Sequence, residues 1–298
     1  MILVADSGSS KCSWRLISEN GEINAIYTTG INPFFRTTTS IYDELLLKLH
    51  PFLDAGVERI YFYGSGIIND EKASIIKLAL QKLFQAARIE LFSDVLAAAR
   101  SIFGTSMGIA CIVGTGSNAC LYDGEKVVAG ISPLGFILGD ESSGAVLGKK
   151  LLGDYFKEVM PEPLRDKFAI KYQLTREEAL QRVYKTEKPN HFLASFAPFL
   201  SEEIDNDYAQ NLVRTSLIEF FERNVTKIAS YSSYPIGFVG SIAFHFSALV
   251  LEVCAKYQMD CISIRQEPME GLIKYHWAIT FKPFHMKYPS RHVGTNRK

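Results

Sequence analysis

The sequence of 298 residues predicts an α/β protein with two related halves, each built on a mixed sheet that helices flank. The first observation behind this prediction is a strand–turn–strand unit that occurs twice, over residues 2–17 and 109–122. A hairpin signal closes each unit, Asn20-Gly21 in the first and Asp123-Gly124 in the second, and a third strand follows. The second observation is that helices and strands alternate after the first meander. The length suits two domains, and we place their boundary between residues 106 and 107.

In the N-terminal half, residues 1–106, apolar residues at helical or strand spacing define the elements that follow the first meander. These elements are a helix over 38–50, a strand over Arg59–Tyr63 that ends at Gly64-Ser65-Gly66, a helix over 70–87, a strand over Ile89–Phe92 and a helix from Val95. Ser93 or Asp94 suits the N-cap of this last helix.

The C-terminal half, residues 107–298, repeats the meander and then becomes mainly helical. Its elements are strands within about 108–131, a loop over Ser132–Gly135, a helix from Gly144 to about 157, a helical insertion over about 158–232, a strand over Ile236–Val239, a helix to about 257, a strand over Cys261–Ile264 and a short helix over 269–277. The segment from Phe281 to Lys298 is basic and has no periodicity, and we expect a tail there.

The composition excludes several classes of function. Lysine and arginine number 32, as do aspartate and glutamate, so no overall positive field recruits nucleic acid or anionic lipid. No apolar run approaches the length of about 20 residues that spans a bilayer. Met1 leads directly into a strand without a signal-peptide pattern, so we expect a cytoplasmic protein whose five cysteines are free thiols.

The turn of each strand–turn–strand unit is rich in glycine and hydroxyl residues. The first contains Gly8, Ser9, Ser10 and Lys11; the second runs over Gly114-Thr115-Gly116-Ser117. Small residues let the backbone approach a ligand closely, and successive N–H groups form an anion-binding concavity. Two such turns that face each other could hold one polyphosphate, which suggests a protein that handles ATP, although plain hairpin chemistry stays open as an alternative.

Carboxylates and amides near these turns extend the prediction. Asp6 ends the first strand, where a carboxylate beside a phosphate loop can hold Mg²⁺ directly or through water. Asp94 follows a strand, so it is either the N-cap of a helix or a general base that takes the proton of a substrate hydroxyl. Asn32, Asn118 and Asp140 lie in loops beside glycines, which suits hydrogen bonds to a hydroxyl-rich ligand. Histidines 245 and 276 are predicted to be structural.

The order of these motifs resembles the sugar kinase, heat-shock chaperone and actin ATPase superfamily, and within it the N-acetylglucosamine kinase branch grouped with the BadF/BadG/BcrA/BcrD ATPases. The resemblance extends from residue 2 to about residue 276. The segments that carry it are Asp6 to Lys11, Gly30-Ile31-Asn32, Ser93 to Ala98, Val113 to Asn118, Leu134-Gly135, Gly139 to Gly144 and Val239-Gly240-Ser241.

The resemblance implies two ribonuclease H-like (actin-like ATPase) domains with ATP and Mg²⁺ in the cleft between them. It gives Asp94 the role of catalytic base and Asp6 that of metal contact. The implied sugar contacts are Asn32, Gly64, Ser65, Gly116, Asn118, Gly135 and Asp140. The implied nucleotide contacts are Gly8, Ser9, Ser10, Lys11, Gly114, Thr115, Gly116, Ser117, Gly240 and Ser241.

We therefore expect a kinase that phosphorylates an amino sugar, N-acetylglucosamine at its 6-hydroxyl, and that acts alone or as a homodimer without a nucleic-acid or membrane partner. Pro33-Phe34-Phe35 and Phe136 depart from the animal enzymes of the family, and these departures bear on which sugar is bound. Two alternatives stay open: an ATPase that energises a partner redox enzyme, and a nucleotide-dependent sugar sensor.

Overall fold

A computed structural model describes residues 1–281 except Ser9 and Asp54. The predicted basic tail beyond Phe281 and the predicted phosphate contact Ser9 lie outside the described residues.

The N-terminal half contains a five-stranded mixed sheet. Its strands are β1 (Ile2–Ser7), β2 (Lys11–Ile17), β3 (Ile23–Thr29), β4 (Arg59–Gly64) and β5 (Arg88–Ser93). The spatial order is β3-β2-β1-β4-β5, with β1, β2 and β3 antiparallel and with β1, β4 and β5 parallel. The helices are α1 (Thr38–Lys48), α2 (His50–Leu53), α3 (Asp70–Leu83) and α4 (Asp94–Phe103). The helix predicted over 38–50 stops at Lys48, and His50 begins the separate short helix α2.

The C-terminal half repeats this sheet. Its strands are β6 (Gly108–Val113), β7 (Ser117–Tyr122), β8 (Val127–Gly130), β9 (Ile236–Val239) and β10 (Cys261–Arg265). The order β10-β9-β6-β7-β8 mirrors the first sheet strand for strand, with the same parallel and antiparallel pairs. The fold class of two mixed sheets flanked by helices is thus confirmed.

The helices of this half include the predicted helical insertion. They are α5 (Gly135–Leu138), α6 (Gly144–Phe156), α7 (Glu162–Tyr172), α8 (Arg176–Tyr184), α9 (Pro189–Ala194), α10 (Ala197–Glu202), α11 (Asp207–Arg223), α12 (Ser241–His245), α13 (Ser247–Lys256) and α14 (Met269–Phe281). Two short 3₁₀ helices over Val225–Lys227 and Tyr231–Ser233 precede β9. Gly135, predicted in a loop, begins α5 instead, and α14 extends four residues past the predicted end at 277.

Helix α4 lies between the two sheets. Ala97 packs with residues of the N-terminal sheet, whereas Ala98 and Ala99 pack with residues of the C-terminal sheet. Helix α14 packs against α4 and the N-terminal sheet, where Leu272 contacts the same core as Val4. The boundary at residues 106 and 107 stays a prediction. In the described part of the chain, no helix has the length and apolarity to cross a bilayer.

Candidate active site

The parallel strands of the N-terminal sheet end side by side. Ser7 on β1 pairs with Gly64 on β4, and Gly64 pairs with Ser93 on β5. Asp94 follows immediately as the first residue of α4. Since ligands of α/β sheets bind beyond the carboxyl ends of the strands, this edge is the natural place for a site.

The loop that carries Asn32 is held to the same edge. The Ile31 N–H donates to Ser7 Oγ at 2.8 Å, which fixes the loop against the end of β1. An ideal Cβ built on Gly66 would lie 2.6 Å from Asn32 Oδ1, so Asn32 contacts the loop that follows β4. Ser65 lies in that loop, and its buried hydroxyl has no hydrogen-bond partner among the described residues. Asn32, Gly64 and Ser65 therefore lie together at this edge, and the buried Ser65 hydroxyl lacks a hydrogen-bond partner among the described residues.

Asp94 is not the N-cap of α4. Ser93 takes that role, because its hydroxyl accepts the Leu96 N–H at 3.4 Å. Asp94 Oδ1 accepts a hydrogen bond from the Val95 N–H at 2.8 Å. Burial raises the pKa of the Asp94 carboxyl, and the hydrogen bond from Val95 opposes that rise. A half-buried carboxylate without a capping duty and with a raised pKa is suited to accept a proton.

A second carboxylate of this edge, Asp6, interacts with its neighbours through their charges. Burial first, and then the negative charges of Asp94 and Glu267, raise the pKa of Asp6 from 3.8 to about 7, while Lys11 lowers it. Lys11 Nζ forms an ion pair with Glu267 Oε1 at 3.0 Å, which connects β2 to the segment between β10 and α14. A bound cation would relieve the mutual repulsion of these carboxylates. Among the described residues, no group of three metal-ligating side chains is placed to hold an ion.

The second Gly/Ser turn is anchored to the start of α6. The Gly144 N–H donates to Gly114 O at 2.7 Å, and the Ala145 N–H donates to Thr115 O at 3.2 Å. Ser117 Oγ donates to the backbone oxygen of Glu141 at 2.7 Å. These bonds fix the backbone conformation of the whole turn from Gly114 to Ser117.

Asp140 lies directly against this turn. Its Oδ2 would be 3.2 Å from an ideal Cβ on Gly116, and its carboxylate accepts the Ser117 N–H. Burial raises the pKa of the Asp140 carboxyl and the charge of Glu141 adds to that rise, whereas the bond from Ser117 lowers it. Glu141 itself is held by Arg223 at 3.0 Å and by Asn224 at 3.0 Å, so it fastens α11 to the loop before α6.

Asn118 lies next to the residue that follows Asp94. It lines a pocket of about 310 Å³ together with Val95, Cys120 and residues 127–132. The charge of Asp94 also acts on the Cys120 thiol, which contributes to the raised pKa of that thiol after burial. Asp94 is therefore close to β7 of the C-terminal sheet as well as to Asp6 of the N-terminal sheet.

Gly240 and Gly135 differ in their surroundings. Gly240 follows β9 with φ = 128°, and a Cβ there would overlap with Val113 O, so only glycine allows β9 to end against the second turn. Ser241 follows it at the surface as the first residue of α12. Gly135 is exposed at the start of α5. Lys149 of α6 donates a hydrogen bond to Phe136 O at 2.9 Å and so connects α5 to α6.

The first turn contacts the C-terminal half. The turn itself is closed by a hydrogen bond in which the Gly8 N–H donates to Lys11 O at 3.0 Å. Ser10 Oγ lies 3.1 Å from His191 Nδ1 of α9. Together with the ion pair between Lys11 and Glu267, this contact brings the two sheets' strand ends to one cleft.

Sequence reasoning missed two residues of this cleft, Glu267 and His191. Glu267 follows β10, a parallel strand, so the strand-end rule that selected Asp94 could have selected it. His191 is a single histidine in a short helix and gave no comparable signal.

Two sheets of one topology, joined through α4 and carrying Gly/Ser turns and carboxylates at a shared cleft, define the actin-like ATPase fold. A candidate N-acetylglucosamine kinase of Porphyromonas gingivalis is 41% identical, covers 93% of this chain and 99% of its own, and superposes with a TM-score of 0.88. The chain therefore belongs to the family of that protein, the N-acetylglucosamine kinase branch grouped with the BadF/BadG/BcrA/BcrD ATPases, and the predicted resemblance is confirmed.

Two more distant structures share the fold alone. A candidate N-acetylglucosamine kinase of Chromobacterium violaceum is 16% identical over 92% of this chain and 98% of its own, with a TM-score of 0.74. A candidate N-acetylmannosamine kinase of Listeria monocytogenes is 14% identical over 93% of this chain and 98% of its own, with a TM-score of 0.53. No protein-family model and no curated protein sequence matches the chain.

Proposed function

We propose that the protein is an ATP-dependent sugar kinase that transfers the γ-phosphoryl group of ATP to the 6-hydroxyl of N-acetylglucosamine. The observation that carries the proposal is the placement of Asp94. Its carboxylate is relieved of helix capping by Ser93, lies at the strand ends of one sheet, and is adjacent through Val95 to the pocket that Asn118 lines. The relative from P. gingivalis supports the same class of activity.

On the acceptor side, Asp94 accepts the proton of the sugar hydroxyl as that oxygen attacks phosphorus. Asn32, Ser65 and Asp140 supply side-chain hydrogen bonds to the remaining hydroxyls and the acetamido group. The Ser65 hydroxyl favours this role because it is buried and lacks a partner among the described residues. We assign Gly64, Gly116, Asn118 and Gly135 to the same sugar-binding surface.

On the nucleotide side, the two Gly/Ser turns hold the phosphates from opposite walls of the cleft. The first turn offers Gly8, Ser10 and Lys11, and the second offers Gly114, Thr115 and Ser117. Gly240 and Ser241 provide the wall for the adenosine. Asp6 would hold Mg²⁺, and the ion would supply neutralisation of the phosphate charge.

The direct test is Asp94→Asn in a coupled assay of ADP release with a panel of amino and neutral sugars. We expect N-acetylglucosamine to give the highest kcat/KM in the wild type, and the variant to lose a factor of about 10² to 10⁴ in kcat. Affinity for ADP should be nearly unchanged, because the carboxylate contacts the acceptor.

Asp70→Asn is the matched control, since Asp70 is the first residue of α3 behind an Asn69 cap, just as Asp94 follows the Ser93 cap of α4. Full turnover in purified Asp94→Asn would remove the base role. Sugar-independent ADP release by the wild type would contradict the kinase assignment itself.

A further inference from the structure

His191 connects the two halves of the molecule at the phosphate turns. Its Nδ1 lies 3.1 Å from Ser10 Oγ, although 181 positions separate the two residues in sequence. Ser10 belongs to the turn between β1 and β2, and His191 to α9 of the helical insertion. The His191 side chain is half-buried, so part of its surface remains accessible to a ligand.

Helix α9 is rigidly placed relative to the second turn. A Cβ on Gly148 of α6 would overlap with Leu193 O, so the two helices pack with their backbones in contact. One turn of α6 earlier, an ideal Cβ on Gly144 would lie 3.3 Å from Ala194 Cβ and 3.4 Å from Gly114 O. The same residue thus contacts α9 and the second turn. His191, one helical turn before Ala194, is therefore fixed to the scaffold that carries one phosphate turn while it contacts the other.

We propose that His191 is a phosphate-binding residue that the C-terminal half contributes to the terminal phosphoryl group of the bound nucleotide. Ser10 and His191 exchange their mutual hydrogen bond for hydrogen bonds to that group, which then bridges the two halves. This inference rests on the proposed nucleotide-dependent function.

The charges around the ring agree with this role. Burial first, and then the positive charge of Lys188, lower the pKa of His191, so the ring is neutral at pH 7 and can donate from one nitrogen. Lys188 directly precedes α9, and Lys11 follows Ser10 at the first turn. An incoming phosphate would favour the protonated ring, which donates from both nitrogens.

A purely structural contact between the halves makes a different prediction. If His191 only held the domains together, its removal would change the affinities for a nucleoside diphosphate and a triphosphate by the same factor. A contact with the terminal phosphoryl group affects the triphosphate alone. The ratio of the two affinities therefore separates the two roles.

The experiment measures dissociation constants of ADP and of the non-hydrolysable analogue AMP-PNP, both with Mg²⁺, for the full-length wild type, His191→Ala and His191→Asn. We expect His191→Ala to weaken AMP-PNP about tenfold, the factor that corresponds to about 1.4 kcal/mol, and to leave ADP within about twofold. The asparagine side chain would keep a polar atom near the position of the histidine Nδ1, so His191→Asn should recover most of the loss. His50→Ala, at an exposed histidine of α2, is the control and should match the wild type.

A second measurement protects the test against a misfolded variant. In the wild type, the ring ¹⁵N signals of His191 should shift more on addition of AMP-PNP than of ADP. An unchanged AMP-PNP-to-ADP ratio in His191→Ala, or identical ring shifts with both nucleotides, would overturn the role of His191 and leave the kinase proposal intact. A wild type that binds neither nucleotide would overturn both.

Discussion

Replacing Asp6 by asparagine should stabilise the protein in the absence of Mg²⁺ and nucleotide, and the gain should grow with pH. The folded-state pKa of Asp6 is about 7 against an ordinary value of 3.8, so the native state binds its proton more tightly than the unfolded state. Below about pH 4 both states are protonated and the carboxyl has no effect. Between about pH 4 and pH 7 the unfolded state ionises first, and stability falls as pH rises. Above about pH 7 the loss is constant.

The size of the effect follows from the same values. Each pKa unit represents about 1.4 kcal/mol, so the full loss above pH 7 would be about 4 kcal/mol. Asp6 keeps part of its surface in solvent, which screens the interaction with Asp94 and Glu267. We therefore expect the stability difference between Asp6→Asn and the wild type to widen by about 1–2 kcal/mol from pH 5 to pH 8.

Urea unfolding at pH 5 and pH 8, without Mg²⁺ and with a chelator present, measures this difference. Asp43→Asn, at an exposed position of α1, is the control, and its difference from the wild type should not depend on pH. Adding Mg²⁺ and ADP should reverse the order of stability, because the wild type alone keeps the carboxylate for the ion. A stability difference for Asp6→Asn that is equal at both pH values would refute the argument from the carboxylate cluster.

Substitutions at two further positions test the contacts that position the second turn and the loop before α6. Gly240→Ala introduces a Cβ that overlaps with Val113 O at a φ of 128°. We therefore expect a loss of about 1–3 kcal/mol in stability and weaker ADP binding, measured by thermal unfolding with and without ADP. An unchanged melting temperature would show that the turn relaxes freely. Glu141→Ala removes the partner of Arg223 and Asn224 and should cost about 1–3 kcal/mol in urea unfolding, whereas Glu141→Gln should cost less because it keeps an acceptor for Asn224. Equal losses in the two Glu141 variants would contradict a role for that acceptor.

The duplicated sheet could be predicted because its signals are local. Hairpin turns such as Asn20-Gly21 and alternating apolar residues act within a few positions, and both were visible in the sequence. The position of α14 could not be predicted in this way. Residues 269–277 read as a short helix, but the surface that covers Leu272 lies on the N-terminal sheet, more than 200 residues earlier in the chain. Only the assembled fold brings the two together.

The residues of the candidate site likewise fall into those that local sequence predicts and those that only the assembled fold brings together. Asp6 is the penultimate residue of β1 and Asp94 directly follows β5, so the rule for strand ends places them at one edge without knowledge of the fold. Whether Asp94 caps α4 could not be decided from sequence, since Ser93 is an equally good cap, and the hydrogen bond from Leu96 to Ser93 decides it. His191 depends on the packing of α9 against α6, which requires the close approach at Gly148 and has no signature among neighbouring residues.

The placement of α4 connects the fold to the proposed chemistry. Because α4 packs between the sheets, Asp94 at its N-terminus belongs to both halves of the molecule. A buried network fixes the middle of this helix: Arg100 donates to Tyr63 Oη at 2.8 Å, and that oxygen lies 2.7 Å from His276 Nε2 of α14. The contact between Ser10 and His191 joins the first turn to α9 of the C-terminal half. By the proposals above, a nucleotide phosphate that replaces this contact would bridge the two halves, while Asp94 stays on the helix that packs against both sheets.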